Sequence, residues 1–413
     1  MELKVQYQYS YFLYPYMIDE DKYERYLLKL LRDKNCELKI FEKEKDLDLY
    51  NYFHQNIRSH LFPTFELRDE SLRQFKDYSE EKKCKLLLGH SCVCFDYKLA
   101  DDIQGKMGNE KGIFFTIPKI EIICFNSGIC FLCIKTHIEE SESFSDLLNF
   151  NYKFKEINSE FKDLKQFENI NIQTGIYKDS KEITDVINEI TGENKNKDLI
   201  NNKFYTFSYT CIPSDYWNDR SGFENMESEF LKYANTFPIN HIVGVNKDND
   251  EQNLSIISNM KYSRTGITKT NCNLLCSTVD MYNYTKLPYE YETSIFYTYV
   301  LRLYQKLFLT HINSEFKNYE KIIKVRRKFA EFTNDFWSKE ITDDDTGSLY
   351  YRMINESLEV DKLFEEIGRK YEVLYKDLNI EKNNRDNMIV VMLLIASLVL
   401  NTITILSYLY LKQ

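Results

Sequence analysis

Histidine and cysteine crowd two stretches of this sequence. His90, Cys92 and Cys94 lie in GHSCVCFDY, Cys124 follows, and Cys130, Cys133 and His137 lie in GICFLCIKTH. Thiolate and imidazole groups at such spacings are zinc ligands in many proteins. A zinc ribbon pairs two CxxC turns, whereas Cys130 and Cys133 form one CxxC with no matching partner. Both stretches alternate like strands, and free cysteine commonly serves as a small core residue. No metal ligand is therefore assigned. The glycine-rich GKMGNEKG (105–112) lacks the Gly-Lys-Ser/Thr ending of a phosphate-binding loop and opens no helix, so it reads as a turn. Neither GxSxG nor HExxH occurs, and the adjacent carboxylates Asp343, Asp344 and Asp345 sit in a polar break where water solvates them. Nothing here argues for catalysis, and the chain reads as a non-enzyme.

A second kind of chemistry lies at the far end. Met388 to Leu411 is a run of 24 residues without charge, proline or glycine. As a helix it spans about 36 Å, enough to cross a bilayer core of about 30 Å. A helix satisfies its own backbone hydrogen bonds in lipid. Lys382 and Arg385 precede the run, and only Lys412 and Gln413 follow it. The expectation is a single-pass, tail-anchored protein of the plasma (inner) membrane with its N-terminal part in the cytoplasm, since the first residues carry no signal peptide. Within the run a stripe recurs at helical spacing: Asn387, Ser397, Asn401, Thr404 and Tyr408, with Val390 and Leu394 between. Amides are unfavourable in lipid unless paired or turned toward a cavity. Three readings stay open: polar contacts between packed helices, a pore lined by one copy of the helix per subunit, or simple anchoring.

The elements ahead of the span alternate between strand-like and helix-like runs. Residues 5–14 read as an aromatic strand and 19–34 as a helix with Tyr23, Tyr26, Leu27, Leu30 and Leu31 on one face. CELKIF reads as a strand, 48–62 as a helix, and 84–98, 113–125 and 129–138 as strands, the last two joined by the hairpin turn NSG. Helices are expected at 143–163 and 222–237, a strand at 203–212, and exposed loops at 191–203 and 246–253. This is an α/β or α+β cytoplasmic domain over 1–285, with two lobes meeting near 191–203. The net charge of −10 argues against a nucleic-acid-binding surface. The ten cysteines fit a reducing compartment.

After Pro288 there is no further proline, and only Gly347 and Gly368 occur. Long helices need this absence of breakers. The reading is a helical stalk over 286–386, with one helix at about 289–340, a break at TDDDTGS (342–348) capped by Ser348, and a second helix from 349 through the transmembrane segment 387–411. Val360, Phe364, Ile367, Tyr371, Leu374 and Leu378 repeat at heptad spacing and form a packing seam.

Two segments, LPYEYETSIFYTYVLRLYQKLFLTHI (287–312) and the chain from GSLYYRMINESLEV (347–360) to LNTITIL (400–406), give this C-terminal third a resemblance to the CorA family of cation channels. The resemblance implies a pentamer whose second long helix lines the pore, with Asn387 at the membrane entry and a divalent cation as cargo. The family's Gly-Met-Asn signature and second span are missing, so magnesium selectivity does not carry over. The opening, YSYFLYPYMIDEDKYERYLLKLL with KDLDLYNYFHQNIRSHLFPTF, looks like a divergent CorA-like branch encoded beside type III CRISPR systems. That likeness implies an antiviral effector switched on by a nucleotide second messenger, S-adenosylmethionine joined to AMP, and disturbing membrane integrity or ion balance. For such a ligand, rings suit stacking and guanidinium groups suit phosphate. Trp217 and Arg220 in YWNDR and Tyr262 and Arg264 in KYSRTG are the candidates. The implied partners are other copies of the chain, the bilayer and the small nucleotide. The alternatives are a CorA-type magnesium transporter and a tail-anchored scaffold that binds a partner protein.

Overall fold

The opening strand is the centre of the molecule. The computed structural model describes residues 3–66, 69–99, 104–108, 112–139, 142–156, 170–173, 180–192, 204–242, 254–315, 322–373, 388–395 and 397. Its strands are β1 (Tyr7–Met17), β2 (Cys36–Leu38), β3 (Cys92–Tyr97), β4 (Gln104–Met107), β5 (Ile113–Phe125), β6 (Ile129–Ile138), β7 (Ile170–Gln173), β8 (Lys181–Glu182), β9 (Tyr205–Ile212), β10 (Ser255–Ile257), β11 (Ser263–Ile267) and β12 (Asn271–Ser277). They form one sheet in the order β10-β11-β12-β9-β1-β6-β5-β4-β7-β8, with β3 on the other half of β5's edge and β2 beside β3. All pairings are antiparallel except β12 on β9. β1 bonds β6 on one edge and β9 on the other. Strands from both sides of residues 191–203, where two lobes are expected to meet, belong to this one sheet.

Nearly every residue of β1 is buried, because helices cover both faces of the sheet. Successive side chains point to opposite faces. Phe12, Tyr14 and Tyr16 share a core with α1 (Glu20–Arg32), α4 (Asp69–Lys76), α5 (Glu80–Leu87), α6 (Phe144–Lys155), α7 (Ile183–Thr191) and α9 (Glu227–Asn235). On the other face Tyr11 lies 4.6 Å from Phe296. There the covering helices are α2 (Leu47–Tyr52), α3 (Gln55–Leu61), α10 (Tyr282–Thr285), α11 (Leu287–Glu290), α12 (Phe296–Glu315), α13 (Ile322–Phe336) and α14 (Asp345–Leu358). A strand covered on both sides reads as a continuous apolar run rather than an in-out alternation. The arrangement is α/β, a mixed sheet between two helical layers.

The NSG hairpin stands as expected. Gly128 has φ +88°, and a Cβ there would lie 2.2 Å from the Ile18 carbonyl oxygen. Its own carbonyl accepts from the Ile18 amide at 2.8 Å. Gly128→Ala is expected to cost about 3 kcal/mol, from the left-handed backbone and the clash together. A fall in the thermal unfolding midpoint by several degrees would report it, and an unchanged midpoint would show that the turn relaxes freely.

Several expected elements change form. Residues 84–87 belong to helix α5, because Ser79 caps it by accepting from the Lys82 amide and places Cys84 and Leu87 on its buried side. The helix expected over 48–62 is two, α2 and α3, since the His54 amide leaves the helical pattern to bond the Ile341 carbonyl at 2.7 Å. The helix expected at 222–237 is likewise split, into α8 (Arg220–Asn225) and α9.

The long helix expected over 289–340 folds back on itself. Phe308 stacks on Phe332 with ring centres 4.3 Å apart, and the Gln305 amide donates to the Phe336 carbonyl at 2.6 Å. In a straight helix the two rings would be about 36 Å apart. Absence of proline and glycine permits a long helix but does not compel one. The apolar faces around Tyr304 and Phe308 and around Phe332 and Phe336 gain more by covering each other. The second helix also begins earlier than expected. Asp344, not Ser348, is its cap, accepting from the Gly347 amide at 2.6 Å, while the Ser348 hydroxyl donates to the Thr342 carbonyl. It does not run on unbroken either, because Glu359 at φ +57° ends α14 before a further helix over 360–373.

Two units divide the chain, Met1–Asp361 and Lys362–Gln413, so the helices from 287 to 358 belong to the first. Of the heptad seam, Val360 and Ile367 are buried and Phe364 and Tyr371 partly so; Leu374 and Leu378 lie outside the described residues. In the second unit the described residues 362–373, 388–395 and 397 are helical, and Met388 to Ile395 expose their apolar side chains. Among the described residues no helix is long and apolar enough to cross a membrane. Most of the expected span falls outside them.

Candidate functional site

A cleft of about 590 Å³ opens on the sheet face covered by α12. α2 supplies Asp48, Asn51 and Tyr52. The turn before β11 supplies Asn259 and Met260, and the sheet itself Ser263 and Leu274. α10 and α11 supply Tyr282, Tyr289 and Glu290, with Lys286 between them. A π-helical turn, Tyr291–Ile295, supplies Tyr291, Ser294 and Ile295. The first turns of α14 supply Asp344, Thr346 and Tyr350. Five tyrosines, three carboxylates and one lysine thus face one space.

Four of the five rings are held by hydrogen bonds. Tyr291 is fully buried, stacks on Phe207 at 4.2 Å and donates to the Cys272 carbonyl at 2.9 Å. The Tyr350 hydroxyl bonds Thr265 at 2.6 Å, and that of Tyr52 bonds Thr298 at 3.1 Å. Tyr52 also lies directly over Gly347, where a Cβ would come within 2.4 Å of its oxygen. The Tyr282 hydroxyl donates to Glu290. Burial, and then the Glu290 charge, raise the Tyr282 phenol above its ordinary range. Burial likewise raises Tyr52 and Tyr350. These phenols remain protonated at neutral pH and act as hydrogen-bond donors. Tyr289 is half exposed at the rim, its phenol raised by burial and by Asp48 and Asp46. Such a lining can stack a planar ring and attract a positive charge, through carboxylates and through the faces of tyrosines.

Beneath the cleft a layer of charge ties the helices to the sheet. Lys135 of β6 binds both oxygens of Glu292 at 2.7 Å, and the Tyr11 hydroxyl donates to Glu292 at 2.6 Å. Next to it, fully buried Glu121 of β5 accepts from Lys119 at 2.8 Å, Lys39 at 3.1 Å and the Tyr297 hydroxyl at 2.5 Å.

The residues singled out from sequence lie elsewhere. Trp217 is buried, and Arg264 lies over its ring at 5.6 Å and over Phe223 at 5.1 Å. Tyr262 meets the same tryptophan edge-on and donates to the Asn218 carbonyl. Three of the four therefore come together as a packed cluster on the face of β11 opposite the cleft. Arg220 stands apart in solvent, paired with Glu224 at 3.1 Å. Of the polar stripe only Ser397 is described, helical and exposed; Asn387, Asn401, Thr404 and Tyr408 lie outside the described residues. All ten cysteines are unbridged. Cys130 and Cys133, three apart on one strand, point to opposite faces. Among the described residues no group of three or more His, Cys, Asp or Glu side chains could hold a metal ion.

The cleft is hard to see in the sequence because its five tyrosines come from four segments, only Tyr289 and Tyr291 sharing LPYEYETSIF, and its three acids from single positions in three. The density of tyrosine beside carboxylate in 282–292 was the available signal. Compared with known proteins, the chain matches no family model, no curated protein and no solved structure.

Proposed function

We propose that this protein is a ligand-responsive membrane effector. Its first unit binds a small organic ligand in the tyrosine- and acid-lined cleft. Its C-terminal segment, the uncharged run 388–411, anchors self-associated copies in the plasma membrane and disturbs ion balance when the ligand is bound. The observation that carries the reading is the cleft, where five tyrosine rings, four of them hydrogen-bonded, and three carboxylates converge on one space large enough for a nucleotide-sized molecule. The ligand that the CRISPR-associated CorA-like resemblance implies, S-adenosylmethionine joined to AMP, has an adenine ring for the tyrosines, a sulfonium for the carboxylates and a phosphate for Lys286. A ligand acts by binding one arrangement of the protein better than another, and the cleft is formed by five separate segments whose arrangement it can bias.

The test uses the full chain in liposomes with a potential-sensitive dye. Adding the conjugate is expected to collapse an imposed potential. Asn401→Leu should suppress the leak while insertion and assembly stay intact, because Asn401 is the amide of the polar stripe. Absence of leak from wild type with bound ligand would remove the effector reading. Normal leak from Asn401→Leu would take the stripe off the ion path.

A further inference from the structure

The π turn Tyr291–Ile295 interrupts a helical run that extends from 287 to 315. It holds no glycine or proline, so no breaker in the sequence accounts for it. A π turn closes hydrogen bonds from i to i+5 and brings residues five apart closer to one face, whereas in an α-helix they stand about 140° apart. Two pairs at that spacing are anchored to the sheet. Tyr291 and Phe296 both pack on Phe207, at 4.2 and 5.5 Å. Glu292 and Tyr297 both reach charged groups of the central strands, Glu292 on Lys135 and Tyr297 on Glu121. An ordinary α-helical turn would release one member of each pair. The extra residue is therefore held in place by side-chain anchors, of which the ion pair is the most exposed: Glu292 keeps about a quarter of its side-chain surface, against none for Glu121.

The same turn faces the cleft with Tyr291, Ser294 and Ile295. We infer that this turn is a register switch through which the cleft's occupant acts on α12, with the Glu292–Lys135 pair as the clamp that holds the π form. The inference rests on the proposed ligand site and adds how it is regulated. Passing from π to α displaces one residue, which turns α12 by about 100° and moves it about 1.5 Å relative to the cleft. α12 packs along α14, so the movement reaches the last helix of the first unit. A ligand that pushes on Ser294 and Ile295 binds the released form better, and the clamp opposes it.

Hydrogen exchange on the full chain in nanodiscs tests the clamp without any ligand. Glu292→Gln keeps the size of the side chain and a hydrogen-bond partner for Tyr11 but removes the charge. Amides of 291–299 are expected to exchange about tenfold faster, the loss of one charge-assisted bond, with β1 and β6 unchanged. Lys135→Met should give the same local change. Unchanged exchange in the turn, or loss of protection spread through the sheet, overturns the switch. A second arm uses the S-adenosylmethionine–AMP conjugate as probe. Glu292→Gln should bind it about tenfold more tightly, because the released form is already populated. If the probe binds both proteins equally, the switch fails and the cleft stands. If it binds neither, that ligand fails, and the exchange arm still decides the clamp.

Discussion

Replacing Glu121 with alanine is expected to lower stability by about 3–5 kcal/mol, the range for removing one partner of a buried ion pair. Glu121 is fully buried, and its carboxylate accepts from two ammonium groups and one phenol. Without it, Lys39 and Lys119 lose the carboxylate that both bind, and Asp96 across the ladder is left as the nearby countercharge. Tyr297 loses its acceptor at the point where α12 meets β5. Glu121→Gln should fall between wild type and alanine, since the amide can serve the hydrogen bonds but not the charge. Thermal unfolding of the three proteins in one detergent gives the order. A midpoint for Glu121→Ala within a degree of wild type would show that the lysines find solvent without cost.

The same group gives a pH dependence whose sign can be worked out. Burial alone would raise the Glu121 carboxyl, but the charges of Lys119 and Lys39 and the bonds from Lys119 and Tyr297 outweigh it and hold it at about 2. Its folded value lies below the ordinary value of 4.5. The stability it contributes is therefore fully present above about pH 4.5 and is lost as pH falls toward 2. Asp96, directly across the ladder from Glu121, works the other way. Burial lifts its carboxyl above the usual range, so its protonation favours the fold as pH falls and offsets part of the loss. The difference in midpoint between wild type and Glu121→Gln isolates Glu121, and it should narrow between pH 4.5 and 2.

What the sequence revealed and what it hid divide along the range of the contacts involved. β1, α1 and the β5–β6 hairpin were legible because local patterns dictate them: a run of rings, a helical face of tyrosine and leucine, and a glycine that alone tolerates the turn at 128. The α12–α13 hairpin was not, because nothing near Phe308 announces that Phe332 will cover it. The π turn is the extreme case. Glu292 and Tyr297 are anchored by partners 157 and 176 residues away, and helix propensity carries no trace of either. The residues chosen for nucleotide contact were legible in another sense. Trp217, Tyr262 and Arg264 do gather as aromatic and guanidinium groups tend to, packing on one another and on Phe223, away from the cleft.

Charge reversal at the cleft should have the largest functional effect. Glu290→Lys is expected to weaken binding of the S-adenosylmethionine–AMP conjugate about a hundredfold, since juxtaposed like charges cost several kcal/mol. Of the charged groups facing the cleft, Asp48, Glu290 and Asp344 are negative and Lys286 positive. The substitution turns three against one into two against two, beside the ring of Tyr282 that Glu290 now binds. Folding should be little affected, within about 0.5 kcal/mol, because Glu290 is exposed on the short helix α11 and surface changes of this kind are usually small. The Tyr282 phenol supplies an internal check. It is raised by burial first and then by Glu290, so a lysine at 290 should bring its ultraviolet titration down. Calorimetry on the full chain with the conjugate and, separately, with uncharged adenosine separates charge from stacking. The conjugate should lose affinity while adenosine binding changes little. Equal binding of the conjugate to both proteins, with the Tyr282 titration moved as expected, would show that the carboxylates of the cleft do not read the ligand's positive charge.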